Sequence, residues 1–300
     1  MPPSGSPDET VGVPAQDPGR LPPEINTGTA HSARVYDYWL GGKDNFAADR
    51  RVGDAITAAI PSAPLLAREN RAFLRRAVRH LAREAGIRQF LDIGTGIPTA
   101  GNTHEVAQAV APGSRIVYVD NDPIVLAHAR ALMTCDPAGA TAFIQADFRE
   151  PGKILADPAL HRILDLEQPV ALMLIALVHF FTDDDDPQGI VSSLVDALPP
   201  GSYLTITNLT ADFMDPEQAA EATEAGRRGG ITYVPRSKAE VAAFVGGLDL
   251  VEPGVVPMQA WHPDGGSVTD QHGPTSYVAM ARKPGHVWQF GGRGIGIMNG

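Results

Sequence analysis

The chain has one cysteine, Cys135, in 300 residues. That excludes an intrachain disulfide and any cluster of cysteine metal ligands, and it suits a reducing, cytoplasmic setting. Basic residues are also few: 24 Lys and Arg against 35 Asp and Glu give a formal net charge of -11. Nucleic-acid binding needs clustered Lys and Arg to grip phosphates, so this balance argues against a nucleic-acid substrate and favours a small molecule or a protein partner. No hydrophobic run reaches membrane-spanning length. The longest, residues 170–178, is about half of the ~20 residues a bilayer requires and reads as a central strand. A basic segment followed by an apolar core is missing from the N-terminus, so no secretory leader is expected.

The segments that are present divide the chain. Residues 1–25 are rich in Pro, Gly, Asp and Ser and are expected to be disordered, because they cannot bury enough surface to offset ordering entropy. Residues 26–69 form an N-terminal cap. Within them Tyr36, Tyr38, Trp39, Leu40 and Phe46 surround the pair Gly41-Gly42. They fit either a docked helix or a lid whose turn offers Lys43, Asp44 and Asn45 for polar contacts. The clearest helix, 70–85, has Phe73, Ala77, Leu81 and Ala85 in one row, with Arg75, Arg76, Arg79 and Arg83 outside as a solvated face.

The centre of the sequence is residues 89–99, where the apolar Phe90, Leu91 and Ile93 end in Gly94 and Gly96 around Asp92. This is a buried strand feeding a glycine loop, and Asn102 with Glu105 gives a capping-box-like start to the helix that follows. A second apolar run, 115–120, also ends in an acid, Asp120, and a third, 142–147, ends in Asp147. In doubly wound sheets a carboxylate at the tip of the second strand accepts hydrogen bonds from a ribose. A dinucleotide fingerprint would place a third glycine at 99, where this chain has Thr99 after Pro98, and that counts against NAD.

The order and spacing of 91–96, 119–123 and 145–148 resemble a class I S-adenosylmethionine-dependent methyltransferase. The segment from Ala33 to Phe46 resembles the leader of a bacterial methyltransferase family long catalogued as a domain of unknown function, over roughly residues 26–283. The resemblance implies a Rossmann-like, doubly wound α/β sheet of seven mostly parallel strands with helices on both faces and the last strand antiparallel. Its core would span 70–283, with a flexible tail at 284–300. It further implies that Asp92, Gly94 and Gly96 line the methionine end of S-adenosylmethionine or of its product S-adenosylhomocysteine. Asp120 would hold the ribose beside Asn121, and Asp147 with Phe148 would meet the adenine.

Methyl transfer is an in-line displacement, so alignment and water exclusion matter more than any one reactive group. Tyr36 or Trp39 could stabilise a sulfonium through a ring face. His179, just past the end of the strand 169–177, is the candidate base for a small-molecule acceptor, because an unperturbed imidazole titrates near ~6.5. A histidine hydrogen-bonded in a packed loop is the competing account. No metal is required. The run Asp183–Asp186 reads as a solvated cap, and His262, Asp264, Asp270 and His272 lie on a Gly- and Pro-containing loop. A cofactor-binding protein without turnover and an NAD-linked oxidoreductase remain as alternatives.

Overall fold

A computed structural model describes residues 26–125, 127, 136–264 and 275–285. The leader 1–25, Cys135, Asp270, His272 and nearly all of the tail 284–300 lie outside the described residues.

Three helices come first: α1 (Ser32–Trp39), α2 (Ala47–Ala59) and α3 (Ala63–Arg83). The helix expected from Asn70 therefore starts two turns earlier, so the boundary expected at 69/70 falls inside α3. β1 (Gln89–Ile93), α4 (Thr103–Val110), β2 (Arg115–Asp120) and β3 (Ala140–Gln145) follow, then α5 (Pro151–Ala156), α6 (Pro158–Ile163) and β4 (Ala171–Leu174). The remainder is α7 (Pro187–Asp196), β5 (Tyr203–Leu209), α8 (Pro216–Arg228), α9 (Lys238–Ala243), β6 (Asp249–Leu250), β7 (Val256–Pro257) and β8 (Ser276–Arg282). Another helical turn opens at Pro123, where Asp122 Oδ1 accepts the Ile124 N–H at 2.9 Å.

The fold is the expected doubly wound α/β sheet, with strand order β3-β2-β1-β4-β5-β8-β6 and β7 also paired to β8. β1 to β5 run parallel, and β8 is antiparallel to β5, β6 and β7. The sheet has eight strands rather than seven because the segment expected as one strand, 248–256, is two short ones. Pro253 has no N–H to donate, and Gly254 closes a turn onto the Val251 carbonyl at 2.9 Å.

Side chains alternate across the sheet. Leu91, Ile93, Val117, Val119, Leu172 and Leu174 face the core built with α5, α6, α7 and α9. Phe90, Ile116, Tyr118, Ala171 and Met173 face α3 and α4. The chain order reverses at β1, which has β2 on one side and β4 on the other, and that opens the crevice at the strands' carboxyl ends.

The N-terminal helices are tied down by two buried acids. Asp49 pairs with Arg34 at 3.2 Å and accepts the backbone N–H groups of His31 and Phe46. Asp37 accepts from the Asp44 N–H and the Asn45 amide, so these two groups of the turn are engaged inside the cap. Ile56 of α2 and Ala225 of α8 share a small core with Trp39 and Tyr233.

Arg76 departs from the solvated face expected of the α3 arginines. It is buried, and its guanidinium donates to the carbonyls of Trp261 at 3.0 Å and Met258 at 2.9 Å. Arg76→Met should remove both bonds, leave the Trp261 carbonyl unpaired and the Met258 carbonyl with only the Trp261 N–H at 3.4 Å, and lower stability by about 1–3 kcal/mol. A urea melt with an unshifted midpoint would remove this tie from the account.

Candidate functional site

Two cavities meet at the carboxyl end of the sheet. The first, of about 830 Å³ with its mouth included, lies over the glycine loop, the tip of β2 and the residues after β4. The second, of about 910 Å³ counted the same way, lies between the N-terminal helices, β5 and α8. Ser32, Tyr36, Asn70, Ala176 and Phe180 line both and form their common wall.

That wall is a chain of buried hydrogen bonds. Tyr36 Oη donates to the Ala67 carbonyl at 2.9 Å and accepts from the Asn70 amide at 3.0 Å. Thr207 Oγ1 donates to Asn70 Oδ1 at 3.1 Å and accepts the Ala176 N–H at 2.8 Å. Ala176 needs that restraint, because its φ of 53° is in the left-handed region, where a side chain costs about 1–2 kcal/mol.

The first cavity gathers most of the expected ligand residues: Asp92, Gly94, Gly96, Asp120, Asn121, Phe148 and Tyr36. Gly94 takes φ +74° and a Cβ there would stand 2.5 Å from Leu177 Cδ1, so only glycine fits. At Gly96 a Cβ would meet nothing within 4 Å, which leaves the backbone open to the cavity. The Gly96 N–H donates to Asp120 Oδ2 at 2.9 Å, and the other Asp120 oxygen holds the Asp122 N–H, so this acid also fixes the loop's shape. Asn102 does not cap α4 with its side chain. Instead, Asn102 Oδ1 accepts from Thr99 and Arg71, while Glu105 accepts the Gly101 N–H and the Asn102 amide.

Asp147 stands apart. It pairs with Arg149 at 3.2 Å beside a shallow depression that shares only Asn121 and Ala146 with the first cavity. His179 lines the second cavity instead. It is buried beside Phe180, at a ring separation of 4.4 Å, and parallel to within 20° of Tyr233 at 6.1 Å. Burial, helped by the nearby Arg236 charge, lowers its pKa to about 3. The ordinary imidazole value expected for it therefore does not apply, and the ring is neutral at physiological pH. Its Nδ1 has no hydrogen-bond partner in the protein.

The acidic run makes local pairs: Asp183 with Arg236, Asp185 with Arg149, and Asp186 as the cap of α7. His262 Nε2 lies 2.7 Å from the Glu252 carbonyl, and Asp264 pairs with Arg79. Residues not anticipated from the sequence also line the first cavity. Arg71 contributes a buried Nε without a partner, while its Nη2 reaches Asn102 Oδ1 at 3.1 Å. His31 approaches Asp122 at 3.2 Å. A signal for Arg71 existed in its position three residues before Leu74 and seven before Val78, in line with the buried row of α3.

Residues 18–284 match the model of the S-adenosyl methyltransferase family. The chain belongs to that family. It is similar to a DUF574 family protein from Streptomyces avermitilis, with 49% identity over 87% of this chain and 100% of the other and a TM-score of 0.84. A protein from Thermobifida fusca, provisionally described as a methyltransferase, shares 43% identity over 88% of this chain and 98% of its own, with a TM-score of 0.80. No curated protein matches. The protein is thus an S-adenosylmethionine-dependent methyltransferase, and its cofactor is S-adenosylmethionine. None of its described helices is long and apolar enough to cross a membrane.

The first cavity of this methyltransferase suits a ligand carrying both charges. Burial raises the Asp92 pKa to about 6, against the lowering effects of the Thr103 hydroxyl, which donates at 2.6 Å, and of Arg71. Asp120 is raised by burial as well, although the Asp122 and Gly96 amides hold it down. Two carboxylates short of positive charge, beside a guanidinium with an unpaired Nε, fit a cation that also carries a carboxylate, as S-adenosylmethionine does.

A raised carboxylate pKa means that the free protein holds a proton on Asp92 below about pH 6, which a cationic ligand must expel. S-adenosylmethionine affinity should therefore rise as pH climbs from 5 to 7 and level off above, and Asp92→Asn should flatten most of that slope. Calorimetry at several pH values checks this. An equal slope in the variant would remove Asp92 as its source.

Proposed function

We propose that the protein transfers a methyl group by in-line displacement to a small-molecule acceptor held in the second cavity, with the donor held in the first. The observation that carries this is the shared wall: a cavity holding Asp92, Asp120 and the glycine loop and a second cavity meet at Tyr36, Asn70, Ala176 and Phe180. Bound S-adenosylmethionine supplies an electrophilic methyl carbon on a sulfonium. The protein's part is then to fix the angle of approach and to exclude water, for which a rigid, hydrogen-bonded partition is suited.

The donor residues are assigned by their chemistry. Asp120 and Asn121, at the tip of β2, hold the ribose hydroxyls, and Gly94 and Gly96 let the backbone approach the ligand. Asp92 faces the cationic end, and Phe148, packed 4.8 Å from Phe181, gives the adenine an apolar wall. Asp147 is turned to Arg149, so its part is to steady the loop after β3. Arg71 is the only Arg or Lys among the described residues lining this cavity, and its free Nε suits the cofactor's carboxylate. Tyr36 brings an aromatic ring to the boundary where a sulfonium would sit.

Residues 26–69 are the cover over both cavities, because α1 contributes Ser32 and Tyr36 to each. His179 is the proton acceptor on the far side of the wall. Its weak basicity is no obstacle, because an oxygen that gains a methyl group becomes a strong acid as the bond forms.

Two variants test the donor assignments. Asp120→Ala should weaken S-adenosylmethionine by about 1–3 kcal/mol, the cost of unpaired hydroxyls in a closed site. Arg71→Ala should weaken S-adenosylhomocysteine by about 1.5–3 kcal/mol and leave 5′-methylthioadenosine, which has no carboxylate, nearly unchanged. Equal losses for both ligands would reassign Arg71 to a structural role.

A further inference from the structure

The second cavity has a composition that identifies its ligand class. The chain is 20% charged, yet among the described residues lining this space there is no Asp, Glu, Lys or Arg. A ligand with a fixed charge would have to leave water without a counter-ion here, and burying an isolated charge is prohibitive. Carboxylates, phosphates and protonated amines are thereby disfavoured inside the cavity. The walls are aromatic where the cavity approaches the donor side: Tyr36 and Phe180 at the shared boundary, with Trp39 and Tyr233 beyond them. Ring faces of this kind favour a flat aromatic molecule over a branched aliphatic one.

The His179 ring is a polar group of this cavity that lacks a protein partner. His179 is buried and lines the cavity, and neither of its ring nitrogens hydrogen-bonds to the protein: Nδ1 is fully enclosed, which leaves Nε2 as the atom that meets a ligand, whereas the Tyr36, Asn70 and Thr207 side chains are engaged with one another. A buried polar ring without a partner costs free energy unless a ligand supplies one. A neutral ligand that places a hydroxyl against His179 resolves that deficit.

We propose that the acceptor is an uncharged aromatic molecule bearing a phenolic hydroxyl, whose rings fill the second cavity and whose hydroxyl hydrogen-bonds to the His179 ring. The proposal rests on the donor–acceptor division above. In the reaction the phenolic oxygen bonds to the donor's methyl carbon. The carbon–sulfur bond breaks, and its electron pair stays on sulfur as S-adenosylhomocysteine forms. The phenolic proton passes to the His179 imidazole and from there to solvent, so the products are an aryl methyl ether, a thioether and one proton. A phenol fits this site better than an aliphatic alcohol, because it gives up its proton more readily to a weakly basic, neutral imidazole.

The test is binding, read by calorimetry on the full chain saturated with S-adenosylhomocysteine. The probes are 2-naphthol, naphthalene, 6-hydroxy-2-naphthoate and 2-naphthylmethylamine. The expected order has 2-naphthol at least tenfold tighter than the anion and the cation, and about tenfold tighter than naphthalene. In His179→Leu the preference for 2-naphthol over naphthalene should disappear, while S-adenosylhomocysteine binding stays within twofold. Ala219→Trp, which fills the second cavity from α8, should abolish 2-naphthol binding and spare S-adenosylhomocysteine. Binding of either charged probe as tightly as 2-naphthol, no 2-naphthol binding at millimolar concentration, or a hydroxyl preference that survives His179→Leu would each overturn the proposal. Failure of S-adenosylhomocysteine itself to bind would instead overturn the donor-site reading on which it rests.

Discussion

The hydrogen-bonded line from Tyr36 through Asn70 to Thr207 and Ala176 joins four parts of the chain that are distant in sequence: the cap helix α1, the long helix α3, strand β5 and the turn after β4. The Tyr36, Asn70 and Thr207 side chains in it are each engaged inside the protein, where a missing partner would cost about 1–3 kcal/mol. Such a line can hold a left-handed alanine in place, and that alanine lets the chain leave β4 and pass between the two cavities. The wall between the cavities therefore follows from how α1 and α3 dock on the sheet. The cap does more than cover: without Tyr36 the wall has no end.

Charge divides along the same wall. On the donor side Asp92 and Asp120 are buried with raised pKa values, and Arg71 is the nearby positive charge. On the other side no charged side chain lines the cavity among the described residues, and burial keeps its titratable rings neutral, lowering the pKa of His179 and raising those of Tyr36 and Tyr233. A cationic ligand is drawn to the first environment and repelled by the second. The two cavities on either side of the partition thus differ in charge as well as in shape.

Much of the lining of the first cavity was legible in the sequence, because parallel strands buried on both faces read as apolar runs that stop at the carboxyl edge of the sheet. The stops at Asp92, at Asp120 and near Asp147, with glycines at 94 and 96, marked the carboxyl edge of the sheet correctly. The rest depended on partners that local pattern does not reveal. Asp147 is taken by an arginine two residues later. Arg76, placed by periodicity on a solvated face, is buried by the distant Met258–Trp261 segment. His179 was in view as a candidate, but its low basicity comes from burial and from Arg236, 57 positions away. The apolar cavity is assembled from α1, α2, β5 and α8, and no one of these segments announces it.

The central claim is that one wall separates donor from acceptor and that methyl transfer crosses it. A crystal structure of the full chain with S-adenosylhomocysteine bound tests this most directly. The account predicts the ribose at Asp120, the carboxylate at Arg71, and the sulfur at the junction of Tyr36, Asn70 and Ala176 with a clear line towards His179. A sulfur enclosed on the donor side with no opening to the second cavity, or an adenosine lying in that apolar cavity, would contradict it.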